Sequence, residues 1–312
     1  MKCKIIMVLL FSLVGLVFSG CGNNAVKLEQ NTGYKAVDSH GQVVEMLHKP
    51  QRIVSLTLCS DEILLSLVDK GCLASVSSLA ANTSISNVAV QAEGLPMLEN
   101  KSIEAILAKN PDLIIVGDWL QDDFIVSLRE LNVPVYVYKT PQSIAEVRTL
   151  VLDMGIIVGE TEKSKKIVAD MDDVLTQITN KVQLIPENQK KMVMALSFMG
   201  CYGGKGSMLD DIYKNAGVIN GAALAGLEKN DVLAKEQIVA MKPDILMIPT
   251  WDYAGEDIAQ FRNSILTDPA LQHIPAVMNH HLIQVNDKYT YATSQYVVYA
   301  VKNIFEAVYG KE

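Results

Sequence analysis

The residues of this chain best suited to recognition come in pairs at one fixed interval. Trp119 and Trp251 are its only tryptophans, and each stands eight residues after a proline (Pro111, Pro243) that itself follows a glutamate (Glu104, Glu236) by seven. All three pairs are separated by 132 residues. The segments around them also agree. Glu104-Ala-Ile-Leu-Ala-Lys-Asn-Pro111-Asp112-Leu-Ile-Ile-Val is matched by Glu236-Gln-Ile-Val-Ala-Met-Lys-Pro243-Asp244-Ile-Leu-Met-Ile. In both, a glutamate opens a short helix, the proline stops it, and a buried strand follows. The repeat implies two lobes related by pseudo-twofold symmetry. An indole is large, stiff and apolar, so the chemistry it offers is the binding of a broad, flat ligand rather than proton transfer.

The elements that must position these residues are legible as alternation. Apolar runs of strand length at 52–56, 73–76, 112–116 and 135–138, then at 191–197, 244–248 and 281–285, are separated by amphipathic runs, which predicts parallel βαβ units. Between the two groups, residues 142–182 contain no proline and carry helical periodicity weakened at Gly155 and Gly159, which predicts two consecutive helices. The expected fold is therefore α/β: two Rossmann-like lobes, 35–154 and 188–312, joined by a long rigid helix within 155–187, with a ligand cleft between them.

In open parallel sheets ligands bind beyond the carboxyl ends of the strands, and both tryptophans lie a few residues past such ends. Loops 57–60, 198–206 and 288–291 should reach the same cleft, which makes Leu58, Cys59, Tyr202, Tyr253, Tyr289 and Tyr291 further candidates for ligand contact. Gly204-Lys205-Gly206 lacks the spacing of a phosphate-binding loop. No CxxC or Cys/His cluster is present, so no metal-ligand set is expected, and neither G-x-S-x-G nor H-E-x-x-H occurs, which argues against a hydrolase. A net charge of −8 argues against nucleic acid as a partner. Cys59, Cys72 and Cys201 cannot all pair internally; free thiols are the simpler reading, with a Cys59–Cys72 bridge the alternative.

Residues 1–20 have the layout of an export signal: a basic start at Lys2 and Lys4, an apolar run from Ile5 to Phe18, then small residues. Phe18-Ser19-Gly20-Cys21 resembles a bacterial lipobox, although the position three before the cysteine is usually leucine. This marks Cys21 as the site of lipidation and residues 21–34 as a tether to the membrane surface.

With these features assembled, Arg52-Ile-Val-Ser-Leu, Asp61-Glu62-Ile-Leu-Leu, the two Glu-x6-Pro-Asp segments and the helical connection resemble the substrate-binding lipoproteins of ABC importers for ferric siderophores, haem and cobalamin, over roughly residues 35–308. The resemblance implies a non-enzymatic, monomeric carrier, lipid-anchored outside the cytoplasmic membrane, with no permanent cofactor. It also implies that Glu104 and Glu236, one per lobe, engage a permease dimer. The four arginines lie off the predicted cleft loops, and Lys205 and Lys288 are the cationic candidates. That scarcity leans toward a weakly charged chelate such as a corrinoid, with hydroxamate siderophores or haem next. For haem, Tyr202 or Tyr291 would ligate iron, whereas His280 and His281, adjacent on an expected strand, point to opposite faces. His40 and His48 are expected at the surface. The competing classes are a zinc or manganese carrier of the same plan, a lipoprotein hydrolase, and an adhesion or scaffold lipoprotein without a ligand.

Overall fold

Strands buried on both faces are what a parallel sheet covered by helices demands, and two such sheets organise the chain. The computed structural model describes residues 33–252 and 254–310. An antiparallel hairpin, β1 (Tyr34–Val37) and β2 (Val43–Met46), comes first. The first sheet contains β3 (Ile53–Ser55), β4 (Leu73–Ser77), β5 (Met97–Leu98), β6 (Leu113–Gly117) and β7 (Val135–Tyr138) in the order β5-β4-β3-β6-β7, all parallel. The second contains β8 (Met192–Ser197), β9 (Gly200–Tyr202), β10 (Ile219–Asn220), β11 (Ile245–Ile248) and β12 (Leu282–Gln284) in the order β10-β8-β11-β12, with β9 antiparallel to β8.

The helices used below are α1 (Leu58–Leu67), α2 (Ile103–Leu107), α3 (Ile144–Ile157), α4 (Thr161–Val182), α5 (Met208–Asn215), α6 (Lys235–Met241), α7 (Asp287–Thr290) and α8 (Val297–Tyr309). The expected pair of consecutive helices is α3 and α4. Gly159, at φ +71°, turns the chain after α3, and Gly155 lets the two pack closely, since a Cβ there would lie 2.1 Å from Ser164 Oγ. α4 buries a single stripe, Ser164, Met171, Leu175 and Ile178, and leaves its other faces largely wet.

The duplication is visible in the backbone. β4-β3-β6-β7 and β10-β8-β11-β12 have the same neighbour order. Asp112 accepts hydrogen bonds from the amides of Gln51 and Arg52, and Asp244 accepts one from Met192, so each carboxylate secures the entry of the neighbouring strand. Asn110 and Lys242 both adopt left-handed φ, 49° and 51°, directly before Pro111 and Pro243. One hydrophobic core runs through both halves. Ile53 and Leu113 of the first sheet, Val193 and Ile245 of the second, and Val151, Met154, Met171 and Leu175 of the connecting helices belong to it, and the chain from Gly33 onward is one compact unit.

Three local expectations need correction. Residues 198–206 do not form a continuous loop, because β9 folds back on β8, and 288–291 is mostly the short helix α7. His280 and His281 are not on a strand: β12 opens at Leu282, His280 takes a left-handed turn at φ 55°, and both are exposed at the amino end of β12. His40 and His48 are exposed as expected, and Cys59, Cys72 and Cys201 are free thiols. Among the described residues no helix is long and apolar enough to cross a membrane. Residues 1–20, Cys21 and Tyr253 lie outside the described residues.

Candidate functional site

At the carboxyl end of β3 the chain turns into α1 through a chain of hydroxyls. Thr57 caps the helix by accepting from Ser60 N, and Ser60 Oγ stands 2.7 Å from both Ser55 Oγ and Thr57 Oγ1. Thr57 Oγ1 in turn meets Tyr138 OH at 2.6 Å, which ties β3 to the exit of β7. Leu58, half-buried, and Cys59, buried, are the first two residues of the helix. The Cys59 thiol donates to Thr293 O at 3.1 Å, and burial pushes its pKa up to about 12, so it is an unreactive contact between the halves.

Asp61, fully buried one turn into α1, accepts from the backbone N and the Oγ of Ser77. Burial outweighs these bonds and raises its pKa to about 7. A carboxyl with a raised folded pKa binds its proton more tightly when folded. Its contribution to stability is therefore full below the unfolded value near 4, falls by roughly 1 kcal/mol per pH unit as pH rises to about 7, and is flat above that. Asp61→Asn should remove this slope. Urea midpoints at pH 5 and pH 8 check it, and a variant keeping the wild-type pH dependence would show that Asp61 does not titrate in that range.

Trp119 follows β6 and is 59% exposed. Its indole lies against Gly117, where a Cβ would come within 2.8 Å of Nε1 and 3.2 Å of Tyr138 Cζ, so glycine is required by close approach rather than by φ. Asp118 accepts from the backbone N and Oγ1 of Thr140 at 3.0 and 2.7 Å, fastening this loop to the exit of β7. Lys101, just past β5, extends over the indole with Nζ 5.2 Å from the ring centroid. It is half-buried, and desolvation lowers its pKa, partly opposed by the Asp61 carboxylate. No spacing in the sequence pairs Lys101 with Trp119; the strand order β5-β4-β3-β6 brings the two segments to one edge of the sheet.

In the second half Trp251, half-buried after β11, donates its backbone N–H to Asp287 Oδ2 at 2.8 Å. The same buried carboxylate accepts from Thr250 N, Thr250 Oγ1 and Thr290 Oγ1, and burial raises its pKa in spite of them. Tyr202 on β9 and Tyr291 after α7 stack with centroids 6.4 Å apart and planes within 9°, their hydroxyls 3.5 Å apart. Burial raises the pKa of both phenols, so neither is presented as a phenolate. Tyr289 instead packs on Tyr299 of α8, centroids 5.6 Å apart, with Lys288 Nζ 5.0 Å above its ring. Lys205 is exposed, its backbone N bonded to Leu227 O. The four arginines serve the framework: Arg52 donates to the carbonyls of Lys109 and Asn110, Arg129 pairs with Asp38, Arg148 with Asp172, and Arg262 donates to Leu282 O.

The carboxyl edges of the two sheets meet through Glu62, which follows β3 on α1, and the segment after β12. Glu62 Oε1 accepts from Asn87 N and Nδ2, and Oε2 accepts from Ser294 Oγ. Asn87 Nδ2 also donates to Lys288 O at 2.6 Å, and Gln295 Nε2 to Glu62 O at 2.9 Å. The tryptophan loops leave their sheets on the edges joined by this contact. A separate cavity of about 420 Å³, lined by Phe198, Met199, Leu233, Ile238 and Phe261 among others, includes neither tryptophan.

Glu104 and Glu236 are each the second residue of their helices, α2 and α6, and both are exposed. Ser102 caps α2 by accepting from Ala105 N. The Glu104 carboxyl is held below its usual range by its own backbone amide and by Ser102. Among the described residues no group of three His, Cys, Asp or Glu side chains could hold a metal ion.

Comparison with known proteins agrees with this architecture. Solved structures with the same fold include the haem-binding protein RhuT of Roseiflexus sp. RS-1 (22% identity, 83% of this chain and 98% of that one, TM-score 0.72). A possible iron-binding, periplasmic solute-binding protein of Staphylococcus epidermidis is similar (22%, 84% and 99%, 0.71). So is the Haemophilus influenzae binding protein MolA with molybdate bound (16%, 88% and 91%, 0.73). A comparison with curated protein sequences finds no match. The family profile described as periplasmic binding protein matches residues 53–289, from β3 to α7, and so takes in both sheets and the helices that join them. The chain belongs to the periplasmic binding protein family and is a solute-binding protein, not an enzyme.

Proposed function

We propose that this chain is the substrate-binding lipoprotein of an ABC importer, anchored through Cys21 outside the cytoplasmic membrane, which captures a metal chelate and passes it to a permease dimer. The chelate classes are haem, a ferric siderophore and a corrinoid. Family membership supports the carrier role, and the haem- and iron-binding descriptions of structural neighbours support the chelate class. The observation that carries the reading is Trp119: a tryptophan 59% exposed, seated on a glycine at the ligand-binding edge of a parallel sheet, is an apolar platform awaiting a flat partner. Trp251 follows β11 on the second sheet, and Tyr202 of β9 stacks on Tyr291, which adds aromatic area to the reading. Leu58 at the first edge, Tyr289 and Tyr253 complete the proposed contact set.

Tryptophan fluorescence of the purified protein should be quenched on titration with at least one of ferric protoporphyrin IX, a ferric hydroxamate or cyanocobalamin. For the responsive chelate, a Trp119→Ala, Trp251→Ala double variant, followed by chelate absorbance, should bind at least tenfold more weakly, since stacking on each indole is worth about 1 kcal/mol or more. Unchanged affinity in the double variant would remove the indoles from the site.

A further inference from the structure

We infer that Lys101 and Trp119 act as one recognition unit for an anionic planar chelate, the indole taking the ring face and the ammonium a carboxylate on the ring's edge. The inference rests on the carrier reading and narrows it, replacing the weakly charged ligand suggested by the distribution of arginines.

Lys101 is half-buried, yet among the described residues no carboxylate lies within 4.0 Å of its Nζ, whereas twelve other basic side chains here do form such pairs. Among the described residues its aromatic partner is Trp119, at 5.2 Å. A cation partly removed from water without a counter-charge is unfavourable unless a ligand supplies one. Asp61 behind it is buried and bonded to Ser77, so it adds a favourable field without forming an ion pair.

The lysine stem and ammonium also cover part of an indole that would otherwise face water. When a flat ring arrives, the flexible side chain can leave the indole for the ring's carboxylate, exchanging a cation–aromatic contact for a charge-assisted hydrogen bond. Both residues sit on the carboxyl edge of the first sheet, one after β5 and the other after β6, on either side of β4 and β3.

The test titrates the full chain with ferric protoporphyrin IX, which carries two carboxylates, and with its dimethyl ester, following absorbance. Cyanocobalamin serves as a third probe. Wild type should favour the diacid over the ester by about tenfold or more, the scale of one charge-assisted contact. Lys101→Met should lose that preference while still binding the ester, and Lys101→Arg should restore most of it. Equal wild-type affinity for diacid and ester, an undiminished preference in Lys101→Met, or binding of cyanocobalamin alone would each overturn the inference and leave the carrier reading standing. Failure of all three probes, and of a ferric hydroxamate, to bind wild type would overturn the chelate-carrier reading itself, and this inference with it.

Discussion

Charge reversal at both Glu104 and Glu236 should leave the chelate affinity of the purified protein unchanged and abolish uptake by cells. The expectation follows from the proposed docking role and from where the carboxylates stand. Each is the second residue of a helix that begins the same helix–proline–strand unit, one unit per sheet, and both are exposed. A two-fold partner requires equivalent knobs on the two halves, and the repeat provides them. Losing two charge-assisted contacts and introducing two like-charge clashes should weaken docking by a hundredfold or more. The bland alternative is that each glutamate merely complements its helix dipole. Ser102 caps α2 independently of Glu104, and the Gln237 side chain accepts from Ala234 N at the start of α6, so the helices should survive the substitution. Paired measurements decide between the two: transport in cells, and affinity with thermal stability in vitro. Normal uptake with slightly lowered stability would leave the dipole role alone.

Glu62→Ala should lower stability by about 2–4 kcal/mol, the scale of leaving several buried hydrogen-bond donors without their acceptor. The carboxylate is buried, accepts from Asn87 N, Asn87 Nδ2 and Ser294 Oγ, and so links the first half to the segment entering α8. There is little slack nearby, because Asn87 Oδ1 and Gln295 Oε1 already lack protein partners. Alanine would strand several donors in an interior that offers no replacement. Glu62→Gln keeps one acceptor for Asn87 and the same volume, and should lose only about a third as much. Urea unfolding of the three proteins at one pH measures this, and a Glu62→Ala midpoint within error of wild type would mean that the contact between the halves does not depend on this residue. Since Glu62 joins the carboxyl edges of both sheets, the same variants report on whether that joint sets ligand affinity.

Much of the architecture is legible in the order of the residues. Within the runs at 112–116, 135–138 and 244–248 the strands from Leu113, Val135 and Ile245 onward are buried on both faces, and continuous hydrophobicity over a strand's length is a local property that needs no partner to be recognised. The repeat was legible for the same reason: glutamate, proline, aspartate and strand lie within thirteen contiguous residues, and their physics is short-range. Gly159 announced the break between α3 and α4. By contrast, β1 and β2 are four residues each, too short for their alternation to stand out. The pairing of β9 with β8 was hidden in a glycine-rich stretch whose composition suggests a loop.

The two α/β halves, their helical connection, the tryptophan and glutamate pairs and the family resemblance can thus be read from residue order, because each rests on local patterns, some of them repeated at a fixed interval. Which side chains meet was settled by packing: Cys59 with Thr293, Glu62 with Ser294, Tyr202 with Tyr291, and Lys101 with Trp119. Those contacts join residues from 18 to 234 positions apart, and they come about only when the sheets form, the two halves pack on a common core, and burial selects which polar groups must find one another.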